Sequence, residues 1–238
     1  MILAIHGKAS SGKDTVGSII QYLIKKKEIG LSKKIKDNEY DFNDYLKSEH
    51  SKSSSWKIKK FAGKLKEIAS ILLGIPVEQF ELEYIKNQLL PREWQNESNT
   101  LTIRLFLQRL GTDAIRDVIH PNTWVNALMS EYKPYCEKLS SDDNVNLLKY
   151  HKYPNWIITD TRFFNELRAV KSKMGITIRV NRPLLNETSY EKAYRETHEH
   201  ESEKSLDNEV FDYYIDNSST IDDLIVQVKE ILIKERIL

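Results

Sequence analysis

The chain has 238 residues, of which 40% are hydrophobic and 30% charged, a balance typical of a folded globular protein and not of a disordered or fibrous one. Lys and Arg number 36, and Asp and Glu number 35. The resulting net charge of +1 provides no overall field that would hold nucleic acid or a membrane surface.

The first residues, MILAIHG, lack the basic and long apolar regions of a signal peptide. No apolar run approaches the roughly 20 residues that cross a bilayer. The single cysteine, Cys136, cannot form an internal disulfide. We therefore expect a cytoplasmic protein without membrane or nucleic-acid partners.

The first elements are predicted as strand, loop and helix. A short apolar run at residues 2–5 ends in a glycine-bearing turn, and apolar residues then recur at helical spacing as far as Ile24. From about residue 25 to 56 the composition becomes polar, with scattered apolar residues such as Phe42. We predict a surface insertion of uncertain order there.

Two helices are predicted in the middle of the chain. Gly74 and Pro76 terminate the first. The second begins near Thr102 and places Arg104 and Gln108 one turn apart on one face. The residues that we predict to point inward from this second helix are Phe106, Leu107, Leu110 and Ala114.

Short apolar runs predict four more strands, at residues 57–62, 156–159, 176–180 and 213–215. Thr220 and Asp223 have the spacing of a capping box at the start of a last helix. Strands that alternate with helices predict an α/β fold with a mostly parallel sheet and helices on both faces. We expect a single domain over residues 1–238.

Residues 7–13 read GKASSGK, the GxxxxGK pattern of a Walker A phosphate-binding loop, between a predicted strand and helix. The glycines let backbone N–H groups face the phosphates, and Lys13 can reach the β- and γ-phosphates. A plain Gly-Lys turn is the alternative, which the flanking strand and helix disfavour. The nucleotide-binding residues predicted in the loop are Gly7, Ser10, Ser11, Gly12 and Lys13.

The residue after Lys13 departs from the standard pattern. Asp14 stands where Ser or Thr normally holds Mg²⁺, and Thr15 follows it. A carboxylate there can bind Mg²⁺ or one of its waters, and the alternative is an aspartate that only interacts with the helix dipole. Thr15 is a second candidate ligand, so the sequence leaves the metal-binding residue open.

Five separated blocks of the sequence match one known family in the same order: SGKDT, RLFLQRLGTDAIRD, HPNTWV, WIITDTRFFNE and HESEKSLD. On these blocks the chain resembles the deoxynucleoside monophosphate kinases of bacteriophages. The resemblance covers most of the chain apart from the polar insertion and residues 135–154. The animal phosphomevalonate kinases, which share the SGKD loop and an ESE-containing block, look like more distant relatives.

The resemblance implies a P-loop nucleotide kinase fold, ATP as phosphate donor, Mg²⁺ as cofactor and a deoxynucleoside monophosphate as small-molecule acceptor. It also implies an acceptor-binding helical region at about residues 63–150 and a function in deoxynucleotide metabolism, in the host cytoplasm if the chain is phage-encoded. The accepted bases, the preference for deoxyribose and the oligomeric state stay open, a homodimer being one alternative.

The resemblance implies that the RxFLQxLGTD block forms the deoxynucleotide pocket. It carries over Arg104, Gln108 and Asp113, and less directly Arg116, whereas spacing alone allows a solvated helix face equally well. Trp124 matches the HPxxWV tryptophan, whose ring could stack on a base or sugar. A core tryptophan is the competing interpretation.

Asp160 ends an apolar strand, where P-loop proteins place the Walker B acid that holds magnesium. An N-cap of the following helix is the alternative. The resemblance carries over Arg162 as a phosphate contact and leaves Glu166 unassigned. The predicted catalytic residues are therefore Lys13, Asp14, Asp160 and Arg162.

The charged segment at residues 187–205 lies between two predicted strands, where nucleotide kinases place a lid. Arg195 is its candidate nucleotide-binding arginine. His198 and His200 with neighbouring glutamates are a weak candidate metal site. Asn217 lies in the loop before the last helix, which in related kinases touches adenine, although turn formation explains this residue as well.

Two other functions compete with this interpretation. Phosphomevalonate as acceptor would leave Gln108 and Trp124 without a ligand partner, because it has no base. A motor or non-catalytic P-loop ATPase would usually carry a partner interface and a residue that positions water, whereas here the arginines are grouped for an acceptor.

A monophosphate acceptor is already ionised, so phosphoryl transfer to it needs cations and alignment more than a strong general base.

Overall fold

The structure, a computed structural model, describes residues 1–31, 41–48, 54–95, 100–137, 150–183 and 204–238. These residues form two compact units, one made of residues 1–59 and 133–238 and the other of residues 60–132. The organisation as a single domain stays a prediction.

The strands of the first unit form a five-stranded sheet and a separate two-stranded ladder. They are β1 (Ile2–His6), β2 (Trp56–Lys59), β3 (Tyr135–Glu137), β4 (Tyr150–Lys152), β5 (Asn155–Ile158), β6 (Ile176–Asn181) and β7 (Tyr213–Asp216). In the main sheet the order is β2-β5-β1-β6-β7 and every neighbouring pair is parallel. β3 and β4 pair antiparallel. The predicted parallel α/β sheet is confirmed, with β1 at its centre.

The helices of the described residues are α1 (Lys13–Leu31), α2 (Phe42–Lys47), α3 (Gly63–Leu73), α4 (Glu83–Lys86), α5 (Ile103–Gln108), α6 (Thr123–Met129), α7 (Phe164–Ser172) and α8 (Ile221–Lys234). In the first unit, α1, α2 and α8 share one apolar core with the sheet. α7 contributes Leu167 to a second cluster with Leu206 and Phe211. Among the described segments, no helix combines the length and the apolar character that a membrane span requires.

The predicted polar insertion at residues 25–56 is wrong at both ends. Helix α1 continues to Leu31, because the Lys- and Glu-containing sequence after Ile24 has high helix propensity. Phe42 and Tyr45 of α2 are buried, with their rings 5.5 and 5.6 Å from the ring of Tyr22. Trp56 is buried as the first residue of β2. The rest of the insertion, residues 32–40 and 49–53, lies outside the described residues.

The predicted capping box of the last helix is confirmed. The hydroxyl of Thr220 accepts a hydrogen bond from the backbone N–H of Asp223 at 3.2 Å, and the Asp223 carboxylate accepts from the backbone N–H of Thr220 at 3.3 Å. The helix then buries one apolar face against the sheet and α1, as amphipathic spacing requires. The buried residues of this face are Leu224, Val228, Ile231 and Leu232.

The second unit is helical. Helix α3 ends at Gly74, whose φ of 67° is the left-handed conformation that a terminating glycine adopts, as predicted. The core of the second unit consists of Ala69, Phe80, Leu90 and Ile103. The unit also contains two short 3₁₀ turns, at Val77–Glu81 and Arg92–Trp94. The unit spans residues 60–132, so the predicted helical region of 63–150 is too long at its C-terminal end.

The helix that begins after Thr102 changes its winding at Arg109. The Thr102 hydroxyl caps its start by accepting from the backbone N–H of Leu105 at 3.1 Å. A π-helical segment, Arg109–Arg116, follows α5 directly. The wider winding moves Ala114 to the surface and buries Gly111, so the prediction that Ala114 points inward is wrong.

Candidate active site

The GKASSGK segment forms the connection between β1 and α1, at the carboxyl edge of the parallel sheet. The turn is closed by the Ser11 N–H, which donates to the carbonyl of Lys8 at 3.1 Å. A Cβ on Gly7 would lie 2.5 Å from the Ser11 hydroxyl and 2.6 Å from the carbonyl of Val180. The loop therefore packs so closely on β6 that only glycine fits at position 7.

Lys13 is 7% exposed and folds back over the loop. Its Nζ donates to the carbonyls of Gly7 at 2.5 Å and Lys8 at 2.6 Å. The first residue of α1 thus holds a cation against the loop backbone. Ser10 has a left-handed φ of 59°, and its carbonyl accepts from Arg182 Nη1 at 3.5 Å.

Asn217, the residue after β7, contacts the loop. Its side-chain Nδ2 donates to the carbonyl of Ser11 at 2.9 Å, and its backbone N–H donates to Asn181 at 2.7 Å. Gly12 has a φ of 97°, and a Cβ there would lie 2.4 Å from Asn217 Nδ2. Asn217 therefore has a specific contact with the phosphate loop beyond the formation of a turn.

Asp14 and Thr159 join the start of α1 to the end of β5. The Thr159 hydroxyl donates to Asp14 Oδ1 at 2.7 Å. Thr159 is buried, Asp14 is exposed and Thr15 is half-buried.

Asp160 follows Thr159 and is held in place by its chain neighbours. The Thr159 N–H donates to Lys59 of β2 at 3.4 Å, and the Thr161 N–H donates to Ile5 of β1 at 3.3 Å. The N-cap of α7 is Phe163, three residues further on, so the alternative role of Asp160 as a helix cap is wrong. Its half-buried carboxylate lies at the carboxyl end of a buried strand.

The turn that carries Arg162 is fixed by Glu166, which the sequence left unassigned. Glu166 is 2% exposed, and its Oε2 accepts from the backbone N–H groups of Arg162 at 2.8 Å and Phe163 at 3.1 Å. The hydroxyl of Ser205 donates to the carbonyl of Arg162. Both backbone polar groups of Arg162 are thus held, which limits the positions available to its side chain.

Asp207 links the phosphate loop to β6 and was also missed by sequence reasoning. Its carboxylate accepts from Arg179 Nη2 at 3.0 Å and lies 3.5 Å from Lys8 Nζ. Arg179 also stacks over the ring of Phe211, 5.7 Å from its centroid. The segment after residue 204 therefore contacts the loop through charged groups.

In the second unit, Arg104 is bound by polar neighbours on α4 and in the turn after it. Its Nη2 forms an ion pair with Glu83, and its Nε donates to Asn87 Oδ1 at 3.2 Å. Hydrogen bonding by Lys86 lowers the pKa of Glu83, and Arg104 acts in the same direction. These contacts hold the guanidinium in one orientation on α5.

The other predicted acceptor residues of the second unit lie at the end of α5, in the π-helical segment and in α6. Gln108 and Arg116 are half-buried, and Asp113 is exposed. Trp124 is 5% exposed, and its Nε1 donates to the carbonyl of Gly111 at 2.9 Å. This burial supports the core interpretation of Trp124, which ties α6 to the π-helical segment, over stacking on a base.

The carboxylates at the sheet edge suit Mg²⁺, which proteins usually bind through one or two carboxylates together with substrate phosphates. Asp14 and Asp160 carry such oxygens, and Thr159, which donates to Asp14, is the neighbour of Asp160 in the chain. Within the described ranges, no group of three His, Cys, Asp or Glu side chains is placed to hold a metal. Arg195, His198 and His200 lie outside the described residues.

His6, the last residue of β1, is a buried neutral imidazole beneath the loop. It is 1% exposed, its Nδ1 lies 2.9 Å from the carbonyl of Thr161, and its ring stacks on Phe211 at 5.1 Å. Burial lowers the pKa of His6 to about 4, and the charges of Arg179 and Lys13 act in the same direction.

Comparison with known proteins gives one family match. A family model described as deoxynucleotide monophosphate kinase matches residues 64–228, which is more than half of the chain. No curated protein matches the sequence significantly. The matched region begins after the phosphate loop, so the geometry of residues 7–13 is an independent observation.

We expect His6 to make stability depend on pH. The imidazole of His6 binds a proton near pH 6.5 in the unfolded chain but only near pH 4 in the folded chain, where its pKa is lowered. The buried neutral imidazole therefore contributes stability that is fully present above pH 6.5 and is lost as the pH falls from 6.5 to 4. The loss should be about 3 kcal/mol in the free energy of unfolding, measured by urea titration.

His6→Gln should remove this part of the pH dependence, because its side chain does not titrate. His120→Gln, which changes an exposed histidine, is the matched control and should keep the wild-type slope. Equal slopes for His6→Gln and the wild type between pH 6.5 and 4 would contradict the assignment.

Proposed function

The chain belongs to the deoxynucleotide monophosphate kinase family, and we propose that it transfers the γ-phosphoryl group of ATP to a deoxynucleoside monophosphate. Membership makes the protein a phosphotransferase. The observation that supports the ATP-dependent reaction is the Walker A loop between β1 and α1. This loop lies outside the region that the family model matches, so it is evidence independent of the family match. The family match favours this reaction over phosphomevalonate phosphorylation and over a motor ATPase.

The donor nucleotide is proposed to bind at the phosphate loop. Gly7, Ser10 and Gly12 are proposed to present backbone N–H groups to the phosphates, and Ser11 to shape the loop through its hydrogen bond to the Lys8 carbonyl. The start of α1 adds its positive dipole end. The Lys13 ammonium, now on two loop carbonyls, would exchange these for phosphate oxygens as negative charge develops. The contact between Asn217 and Ser11 supports a role of Asn217 in holding the loop that receives ATP. Arg195 is proposed as a further nucleotide contact.

Asp14 and Asp160 are proposed to hold Mg²⁺, with Thr15 as the alternative to Asp14. When bound, the ion neutralises charge on the β- and γ-phosphates. Asp160 is suited to this because backbone hydrogen bonds to β1 and β2 fix both of its neighbours. Asp14 is suited because Thr159 orients its carboxylate.

The acceptor is proposed to bind residues of the second unit, with Arg104 on its phosphate. The ion pair with Glu83 and the bond to Asn87 hold the Arg104 fork before substrate arrives, which reduces the entropy lost on binding. Gln108, Asp113 and Arg116 are proposed to contact the sugar and base. In the first unit, Arg162 is proposed as a phosphate contact, and Glu166 positions its backbone.

The direct test is a coupled assay of ADP release with ATP, Mg²⁺ and each monophosphate in turn, with phosphomevalonate as one further acceptor. Release should require a deoxynucleoside monophosphate. Lys13→Ala should keep the fold and lower kcat by at least about 100-fold, because a transition-state charge contact is lost.

Lys8→Ala is the matched control for Lys13→Ala. It removes the same charge from the same loop, and its Nζ lies 3.5 Å from the Asp207 carboxylate. It should change kcat far less. Near-normal turnover in folded Lys13→Ala protein would end the proposal.

Asp160→Asn should shift the Mg²⁺ dependence of the rate to concentrations at least about 10-fold higher, because it removes a charged metal ligand. The measurement is a Mg²⁺ titration at saturating substrates. Asp212→Asn is the control: this carboxylate accepts from Thr177 near the amino ends of β6 and β7, at the other edge of the sheet. Coincident titrations for Asp160→Asn and the wild type would show that Asp160 does not bind the metal.

Arg104→Ala should raise KM for the acceptor by about 10- to 150-fold, the range for a hydrogen bond to a charged group, with a much smaller change in KM for ATP. Steady-state kinetics with both substrates varied measure the two constants.

Glu83→Gln separates this role from a structural one. It weakens the ion pair and leaves Arg104 in place. If Arg104 binds the acceptor phosphate, Glu83→Gln should raise the acceptor KM far less than Arg104→Ala does, because it removes only part of the contacts that pre-order Arg104. Equal increases in acceptor KM for the two variants would instead make the Arg104–Glu83 pair structural, and a change in KM for ATP alone would move this segment to the donor site.

A further inference from the structure

Thr159 connects the phosphate-loop helix to the sheet through both branches of its side chain. Its hydroxyl donates to Asp14 Oδ1 at 2.7 Å. Its methyl group faces Gly17, where an added Cβ would lie only 2.6 Å from Thr159 Cγ2. The missing side chain of Gly17 thus allows α1 to approach β5 closely enough for the Asp14 bond to form.

Asp14 and Gly17 are three residues apart on α1, so both lie on one face of the helix, and this face is directed at the end of β5. Thr159 immediately precedes Asp160. The contact therefore places the Asp14 carboxylate next to the chain segment that carries the other proposed magnesium ligand.

We infer that Thr159 is a positioning residue for magnesium, which holds the Asp14 carboxylate so that Asp14, and not Thr15, is the metal ligand at the start of α1. The inference rests on the proposed ATP-dependent function. A carboxylate can accept one hydrogen bond and still bind a cation, because its two oxygens have about four acceptor positions.

The physical advantage lies in orientation. Asp14 is exposed, and an exposed carboxylate samples several rotamers that metal binding would have to restrict. A bond from a buried hydroxyl selects one rotamer before the metal arrives. The loss of such outer contacts typically weakens metal binding by about 10- to 100-fold.

The competing view is that the Thr159–Asp14 bond is only a strut between α1 and β5. A strut would affect the shape of the phosphate loop whether or not magnesium is present. A positioning role would affect only the response to magnesium. Calorimetry separates the two roles. It measures the affinity for a non-hydrolysable ATP analogue without acceptor, first in EDTA and then across a Mg²⁺ titration.

Thr159→Val keeps the branched shape against Gly17 and removes the hydroxyl. It should leave the affinity in EDTA near that of the wild type and raise the Mg²⁺ concentration for half of the affinity gain by about 10-fold. Thr159→Ser keeps the hydroxyl and should titrate close to the wild type. If Thr159→Val does not fold, Thr159→Ser and Thr159→Ala, which differ by the hydroxyl alone, give the same comparison.

Thr177→Val is the matched control. The Thr177 hydroxyl also donates to an aspartate at 2.7 Å, that of Asp212, so the variant loses the same type of bond in the same unit. It should leave the magnesium midpoint unchanged. Asp14→Asn should raise the midpoint, and adding Thr159→Val to it should have no further effect, since the two residues act as one unit.

An unchanged midpoint in Thr159→Val, or an equal loss of affinity with and without Mg²⁺, would overturn the inference in favour of the strut. A raised midpoint in Thr177→Val as large as in Thr159→Val would also overturn it. If the wild type binds no analogue under either condition, the proposed function fails and the inference fails with it. A failure of the inference alone is recognised by normal analogue binding in the wild type.

Discussion

Five strands that run in one direction bring all their carboxyl ends to the same edge of the sheet, and the candidate site depends on this arrangement. The phosphate loop follows β1, Asp160 follows β5, and Asn217 follows β7. None of these residues is close to the others in the sequence. Parallel pairing alone places them at one edge, and the central position of β1 puts the loop between the ends of its two neighbours.

Close packing at this edge explains why small residues occur where they do. Gly7 avoids the Val180 carbonyl, Gly12 avoids Asn217, and Gly17 accommodates the methyl group of Thr159. Each glycine allows a different neighbouring segment to touch the loop or the first turns of α1. The loop is therefore held by β6 and by the residue after β7, and the first turns of α1 by the residue after β5. The proposed binding of phosphates would require little reorganisation of such a loop.

Sequence reasoning predicted what is encoded locally. The Walker A pattern, the buried strand before Asp160 and the capping box of Thr220 with Asp223 all depend on residues within a few positions of one another. It missed contacts between distant segments: Asp14 and Thr159 are 145 residues apart, and Ser11 and Asn217 are 206 apart. Ala114 was misplaced because nothing in the local pattern indicates the change from α- to π-helical winding. The polar insertion was too long because lysine-rich sequence continues α1, and because Phe42 and Tyr45 become core residues only through Tyr22.

The departure from the standard phosphate loop at position 14 has a structural counterpart on the facing strand. In the standard pattern a Ser or Thr hydroxyl at this position binds Mg²⁺ directly. Here a carboxylate occupies the position, and a hydroxyl is supplied to it from Thr159. A longer, charged side chain needs such an anchor more than a short hydroxyl does, because it has more rotamers to lose. Asp14, Gly17 and Thr159 therefore form one set of contacts: the Thr159 hydroxyl donates to the carboxylate, and the absence of a side chain at Gly17 leaves room for the Thr159 methyl group.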